Sequence, residues 1–201
     1  MPRALSSDTK LIQIVDAALA DTARRSGDWL VCKLGCTQCC VGVFPINQLD
    51  VKRLRDGLAA LEKKDPKRAA RVRARARASV ARLAADFPGD ATTGILGQSK
   101  AAQRKFAAFG NDEVCPALDP KSGGCDVYEW RPMTCRVFGP PVRSEDGMGV
   151  CELCYHGATP QEIAACEMVP DSDDLESALV EQAERDSGVR GDTIVAYCLA
   201  R

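Results

Sequence analysis

Nine of the eleven cysteines fall in two short blocks, and that clustering restricts what this chain can fold into more than any other property. The first block, "VCKLGCTQCC" at residues 31–40, holds Cys32, Cys36, Cys39 and Cys40. The second holds Cys115, Cys125 and Cys135 at equal spacing, then Cys151 and Cys154. Thiols kept so close together imply disulfides, a bound metal or cluster, dithiol redox chemistry, or coincidental burial in a core. These answers require different architectures, so they are weighed first.

An odd number of cysteines cannot all pair within one chain. The opening "MPRALSSDTKLIQIVDAALADTARRSGDW" has no uninterrupted apolar h-region followed by a cleavage site. No apolar run is long enough to cross a bilayer. The expected compartment is the cytoplasm, where thiols stay reduced, and disulfides are disfavoured. A redox C-x-x-C needs a strand-to-helix junction in a βαβ pattern, and the sequence offers none. Isolated cysteines are often buried and inert, which suits Cys166 and Cys198.

The clustered nine call for a different reading. Cys36/Cys39 and Cys151/Cys154 share the C-x2-C spacing, in which a tight turn aims two thiolates at one metal atom. The candidate ligands are Cys32, Cys36, Cys39, Cys40, Cys115, Cys125, Cys135, Cys151 and Cys154. Cys39 and Cys40, being adjacent, are expected to point apart, so that Cys40 serves a second site or another corner of a cluster. Soft thiolates exclude Mg2+ and Ca2+ and favour Zn2+, Cu(I) or iron–sulfur. Zinc and an iron–sulfur cluster both accept four thiolates, so spacing leaves that choice open. The lone histidine, His156, can be a ligand or a surface residue. Arg131 and Arg136 flank Cys135. Either they offset the negative charge of a thiolate site, or they pair with acids such as Asp126 and Glu129.

The rest of the chain supplies a scaffold. Residues 8–25 read as an amphipathic helix with Leu11, Val15, Ala18 and Thr22 inward and Gly27 past its end. Asn47 caps a second helix carrying Val51, Leu54, Leu58 and Leu61. Asp65-Pro66 opens a third, expected to reach Phe87, with Ala69, Val72, Ala76, Val80 and Leu83 inward. Residues 111–158 are rich in Pro, Gly and Cys, without sustained period, and need an organiser other than ordinary burial. Thr159 to Glu162 form a capping box, a further helix is expected over 173–185, and "DTIVAYCLA" could be helix or strand. The fold class is therefore mainly α, a helical scaffold with irregular metal-binding loops. One domain over 1–201 is expected, its cysteine blocks at 32–40 and 115–154 joined by helices between 47 and 110.

Lysine plus arginine number 27 against 28 acids, so net charge selects no partner. Between Lys63 and Arg77 there are eight basic residues and one acid. That run permits a zinc-stabilised nucleic-acid-binding module, but a basic run on a helix is usually a solvated face, and the neutral total argues against nucleic acid.

The composite of "CKLGCTQCC" with "CPALDP…CDVYEWRPMTCRVFG" resembles the YkgJ-like cysteine-cluster family, the zinc- or iron-chelating CxxCxxCC domain. The likeness covers about residues 32–47 and 115–154. It implies that Cys32, Cys36, Cys39, Cys40, Cys115, Cys125 and Cys135 occupy the family's cluster positions, with Cys151 or Cys154 as a further one. Tyr128, Arg131, Pro132 and Arg136 match the rest of the motif. A related pattern in bacterial flagellin lysine N-methylases, associated with an iron–sulfur cluster, tilts the implied cofactor toward 4Fe–4S over zinc. It also raises a cluster-dependent methyltransferase as an alternative, against which stands the lack of a Gly-rich cofactor loop after a strand.

Overall fold

A computed structural model of the chain describes residues 6–33, 35–144 and 147–201. In chain order the elements are α1 (Ser7–Ser26), α2 (Gln48–Lys64), α3 (Pro66–Leu83), β1 (Gly89–Asp90), β2 (Ile95–Leu96), α4 (Lys100–Ala107), α5 (Met133–Val137), β3 (Val142–Ser144), β4 (Gly147–Gly149), α6 (Pro160–Ala165), α7 (Leu175–Ser187) and α8 (Val195–Ala200). The fold is mainly α; among the described residues the strands form only two two-stranded antiparallel pairs. The chain divides into two compact units, Met1–Lys33 with Met133–Glu181, and Leu34–Pro132 with Gln182–Arg201.

The helix starts follow from side-chain caps. Ser6, Asn47, Asp65, Ser99 and Thr159 each accept a backbone N–H three residues on, satisfying one of the donors a helix start leaves over. Pro66 and Pro160 stand in the first turn, where no N–H is missed. The Thr159–Glu162 capping box is complete in both directions.

In the second unit α2, α3 and α8 pack on one another. Val51, Leu54, Leu58 and Leu61 of α2 meet Ala69, Val72 and Ala76 of α3 and Val195, Cys198 and Leu199 of α8. The alanines on α3 present little bulk, so the neighbouring helices come close. Within "DTIVAYCLA" Val195–Ala200 are helical, while Thr193 before them bridges Ile46 in extended conformation. α3 ends at Leu83 rather than Phe87; a 3-10 turn over 84–86 follows, and Phe87 remains buried against Tyr197, with ring centres 4.8 Å apart. Two residues of the cysteine-rich stretch, Ala117 and Val127, belong to the same core, at 2% and 0% exposure. They anchor a segment with little regular structure of its own. Gly57, midway along α2, makes room for Trp130: a Cβ there would lie 2.6 Å from the Trp130 Cβ.

In the first unit α1 packs against α5, and Arg136 of α5, 4% exposed, reaches Asp16 of α1 at 3.1 Å. Arg143 binds Glu167 through two hydrogen bonds of 2.9 and 2.7 Å. Cys151, Cys154, Tyr155 and Cys166 form a small buried cluster, with Trp29, Leu30, Ala158 and Ile163 packed against it. Tyr155 lies at φ +59, a conformation that costs a non-glycine residue about 1–2 kcal/mol. Its hydroxyl is fixed in return: Ser26 Oγ donates to the Thr22 carbonyl at 2.7 Å and accepts from Tyr155 at 2.5 Å.

Candidate metal centre

The end of the first cysteine block meets the start of the second through the main chain. A 3-10 turn over Gln38–Cys40 leads into an isolated antiparallel bridge between Val41 and Val114. Cys115 N–H donates to the Cys40 carbonyl at 2.8 Å, and Gly42 N–H to the Glu113 carbonyl at 2.9 Å. Gly42 sits at φ +94, in the left-handed region where glycine carries no steric penalty. Cys40 and Cys115 are thus neighbours across a ladder, far apart as they are in sequence.

The stretch between Cys115 and Cys125 folds back on itself. Leu118 bridges Cys125, Asp126 N–H donates to the Ala117 carbonyl at 2.8 Å, and Asp119 N–H to the Gly124 carbonyl at 2.8 Å. Asp119 closes the tip: its carboxylate accepts from the Ser122 hydroxyl at 2.8 Å and the Lys121 N–H at 3.3 Å. The segment around Cys36 lies against that tip, since a Cβ on Gly123 would stand 3.8 Å from Gly35 Cα and 3.9 Å from Thr37 Cγ2.

Cys39, Cys40, Cys115 and Cys125 are therefore brought together, and their electrostatics show it. The Cys39 thiol is pushed well up, first by its hydrogen bond with the Cys40 thiol and then by burial. Adjacent cysteines were expected to diverge, and here they touch. A 3-10 turn separates consecutive side chains by about 120° rather than the 180° of a strand, so two thiols can swing into contact. Burial pushes the Cys115 thiol up to about 12 and raises Cys125 as well. Opposing this, backbone N–H groups of Ala117 and Leu118 point at the Cys115 sulfur, and that of Val127 at the Cys125 sulfur. Such donors favour the thiolate. The positive charge of Arg131 acts in the same sense on Cys39 and Cys125. Its guanidinium stacks 4.0 Å over the Tyr128 ring and donates to the Tyr128 carbonyl at 3.0 Å.

The first unit gathers a different set. Cys154 N–H donates to the Cys151 carbonyl at 2.9 Å, closing the expected C-x2-C turn. The Cys154 thiol is raised chiefly by burial and by the neighbouring Cys151, while N–H groups of Val31 and Cys32 point at it. Cys32 also lies beside Gly139, whose Cβ would stand 3.7 Å from that of Cys32. Cys135 is carried by α5 in the same unit, and His156 is exposed. Cys166, assigned to an inert core from sequence, clusters with Cys151 and Cys154. Cys198 is the inert core thiol expected: buried on α8, it donates to the Val51 carbonyl at 3.6 Å.

The basic run on α3 is a solvated face only in part. Rather than forming a solvated face throughout, Arg68 and Arg75 both bind Asp126, whose side chain is 1% exposed, Arg75 at 2.5 Å. Arg75 also donates to the Pro116 carbonyl at 2.8 Å. Arg82 binds Glu113 at 2.5 Å, Arg73 binds Glu62 at 2.9 Å, and Arg77 donates to the Ala200 carbonyl at 3.4 Å. Asp126 therefore pairs with arginines of α3. The available hint was a carboxylate directly after Cys125 and arginines two helical turns apart.

Soft donors, backbone N–H groups aimed at sulfur and an adjacent cation suit a thiolate-bound metal. Among the described residues, no three Cys, His, Asp or Glu side chains already converge on one point. The helical frame and thiol-lined loops define a chelating protein of the cysteine-cluster class. Residues 31–155, well over half the chain, match the family described as "CxxCxxCC: Putative zinc- or iron-chelating domain", and the chain belongs to that family. No curated protein and no solved structure matches it. Among the described residues no helix is long and apolar enough to cross a membrane.

Proposed function

We propose that this chain is a cytoplasmic metalloprotein that holds an iron–sulfur cluster of the 4Fe–4S type through cysteine thiolates. The candidate ligands are Cys36, Cys39, Cys40, Cys115 and Cys125 in one unit, and Cys32, Cys135, Cys151 and Cys154 in the other. The observation that carries the reading is the Cys115 to Cys40 main-chain hydrogen bond of 2.8 Å, which sets the end of the first cysteine block beside the start of the second. The bound metal would tie irregular loops to the helices, so that its binding free energy becomes part of the folding free energy. All eleven cysteines are free thiols. The chain passes between its two units at 33/34, 132/133 and 181/182, which supports treating 1–201 as one cysteine-cluster domain. Engagement of Arg68, Arg73, Arg75 and Arg77 with groups of this chain leaves fewer cations for phosphates and argues against a nucleic-acid partner.

Visible absorption and elemental analysis of protein purified without oxygen test the reading. A broad brown absorbance with iron and sulfide is expected. A colourless protein with stoichiometric zinc replaces the cluster with a zinc chelate, and a protein with neither metal overturns the proposal.

A further inference from the structure

Asp126 stands directly after Cys125 and is bound on both oxygens by arginines of α3. Arg68 Nε holds Oδ1, and Arg75 Nη2 holds Oδ2 at 2.5 Å. The same Arg75 guanidinium donates through Nε to the carbonyl of Pro116, the residue directly after Cys115, at 2.8 Å. One planar, rigid group therefore spans the chain beside both cysteines. Arg68 and Arg75 are two turns apart on one face of α3, a helix fixed to the core through Ala69, Val72 and Ala76. The positions of Cys115 and Cys125 are referred in this way to a helix rather than to their own loop.

Charge alone gives no reason for this carboxylate. A site that must collect thiolates gains nothing from a further negative group beside Cys125, and asparagine would serve better if only local charge mattered. Burying the carboxylate at 1% exposure requires the two guanidinium groups to compensate it. What the arrangement supplies is geometry.

We propose that Asp126, clamped by Arg68 and Arg75, is a positioning residue that sets the relation of Cys115 to Cys125 for a thiolate-bound metal. The inference rests on the thiolate-site reading above. It makes α3 the jig of the site, and it gives opposite signs for a positional and an electrostatic role. If Asp126 positions the thiols, Asp126→Asn weakens metal binding; if it acts only through its charge, the same change tightens it.

The test uses the full chain stripped of metal and titrated with Co2+ under anaerobic conditions. The thiolate-to-cobalt charge-transfer band reports how many sulfurs bind, and competition with a chelator reports affinity. In Asp126→Asn, Co2+ affinity is expected to fall roughly 10- to 100-fold, the range for loss of an outer-shell partner. The band should weaken as a thiolate leaves the shell, and Asp126→Glu should restore part of both. Unchanged or tighter binding with full band intensity, at unchanged helicity, overturns the inference while leaving the thiolate site standing. A wild-type chain with no charge-transfer band overturns the thiolate-site reading, and the inference with it. Should Asp126→Asn fail to fold by circular dichroism, Arg75→Gln keeps the Arg68 bond and decides the matter. It is expected to move affinity and band intensity the same way by a smaller factor, and no change in either overturns the inference.

Discussion

The two units hold their thiols by different physical means. Around Cys115 and Cys125 polar restraints are added to the core anchors Ala117 and Val127: main-chain bonds to residues 40 and 117, a guanidinium fork from α3, and Asp119 closing the tip. Around Cys151 and Cys154 it is mostly apolar, a buried cluster with Trp29, Leu30 and Ile163 against it and a tyrosine held in a left-handed conformation by one hydroxyl. A polar frame is directional, and its loss misplaces a ligand. An apolar pocket is less directional, and its loss costs stability before geometry. The same thiolate chemistry can therefore fail in two distinct ways.

The largest effect should come from the polar side. Replacing Cys115 and Cys125 together with serine is expected to remove at least half of the bound metal while the helical content persists, because α2, α3 and α8 pack through other side chains. Metal content and far-ultraviolet circular dichroism measure both halves of that statement. Full retention of metal would remove Cys115 and Cys125 from the site, whereas Cys151→Ser with Cys154→Ser probes the other set independently.

Next comes the Gly57–Trp130 contact. Alanine is the better helix former by about 1 kcal/mol. Even so, Gly57→Ala should destabilise the protein by about 1–3 kcal/mol, because the new methyl would collide with Trp130 at 2.6 Å and push it out. Denaturant unfolding gives the sign, and a stabilised variant would mean that Trp130 yields without cost.

On the apolar side Tyr155→Phe keeps the ring and deletes its hydrogen bond to Ser26. A loss of about 0.5–1.5 kcal/mol is expected, with metal content unchanged. A drop in metal content instead would mean that the apolar unit is as directional as the polar one, and would erase the contrast.

The smallest effect is a pH dependence in the core. Burial pushes the Cys198 thiol up to about 12 from an ordinary 9.0. A group raised in the folded state holds its proton more tightly there, so its contribution to stability is complete below about pH 9 and is lost as pH rises toward 12. Cys198→Ala should therefore flatten the fall in melting temperature of the metal-free protein over that window. An identical slope in the variant would assign the alkaline loss to other groups.

Much of the helical frame was legible in the chain because its signals are local. Asn47, Asp65 and Thr159 cap where their side chains predict, and the 3.6-residue period of Val51, Leu54, Leu58 and Leu61 survives folding unchanged. The helix over Lys100–Ala107 falls within the helical stretch expected between 47 and 110, but its bounds were not legible, because its apolar stripe is too short to register as a period. The gathering of the nine cysteines into two blocks was equally plain, since a C-x2-C turn is itself a local geometry.

What the sequence determined by itself was the kind of chemistry: soft donors at ligand spacing, on a helical scaffold with capped ends. Tertiary structure alone decided that Cys40 abuts Cys115, that Cys166 joins Cys151 and Cys154, and that the arginines of α3 grip Asp126. The reason lies in range. Caps and periods are set by interactions spanning a few residues, which the order of side chains encodes directly. Which distant loop a thiol or a guanidinium meets depends on how helices stack, and that is a property of the whole core.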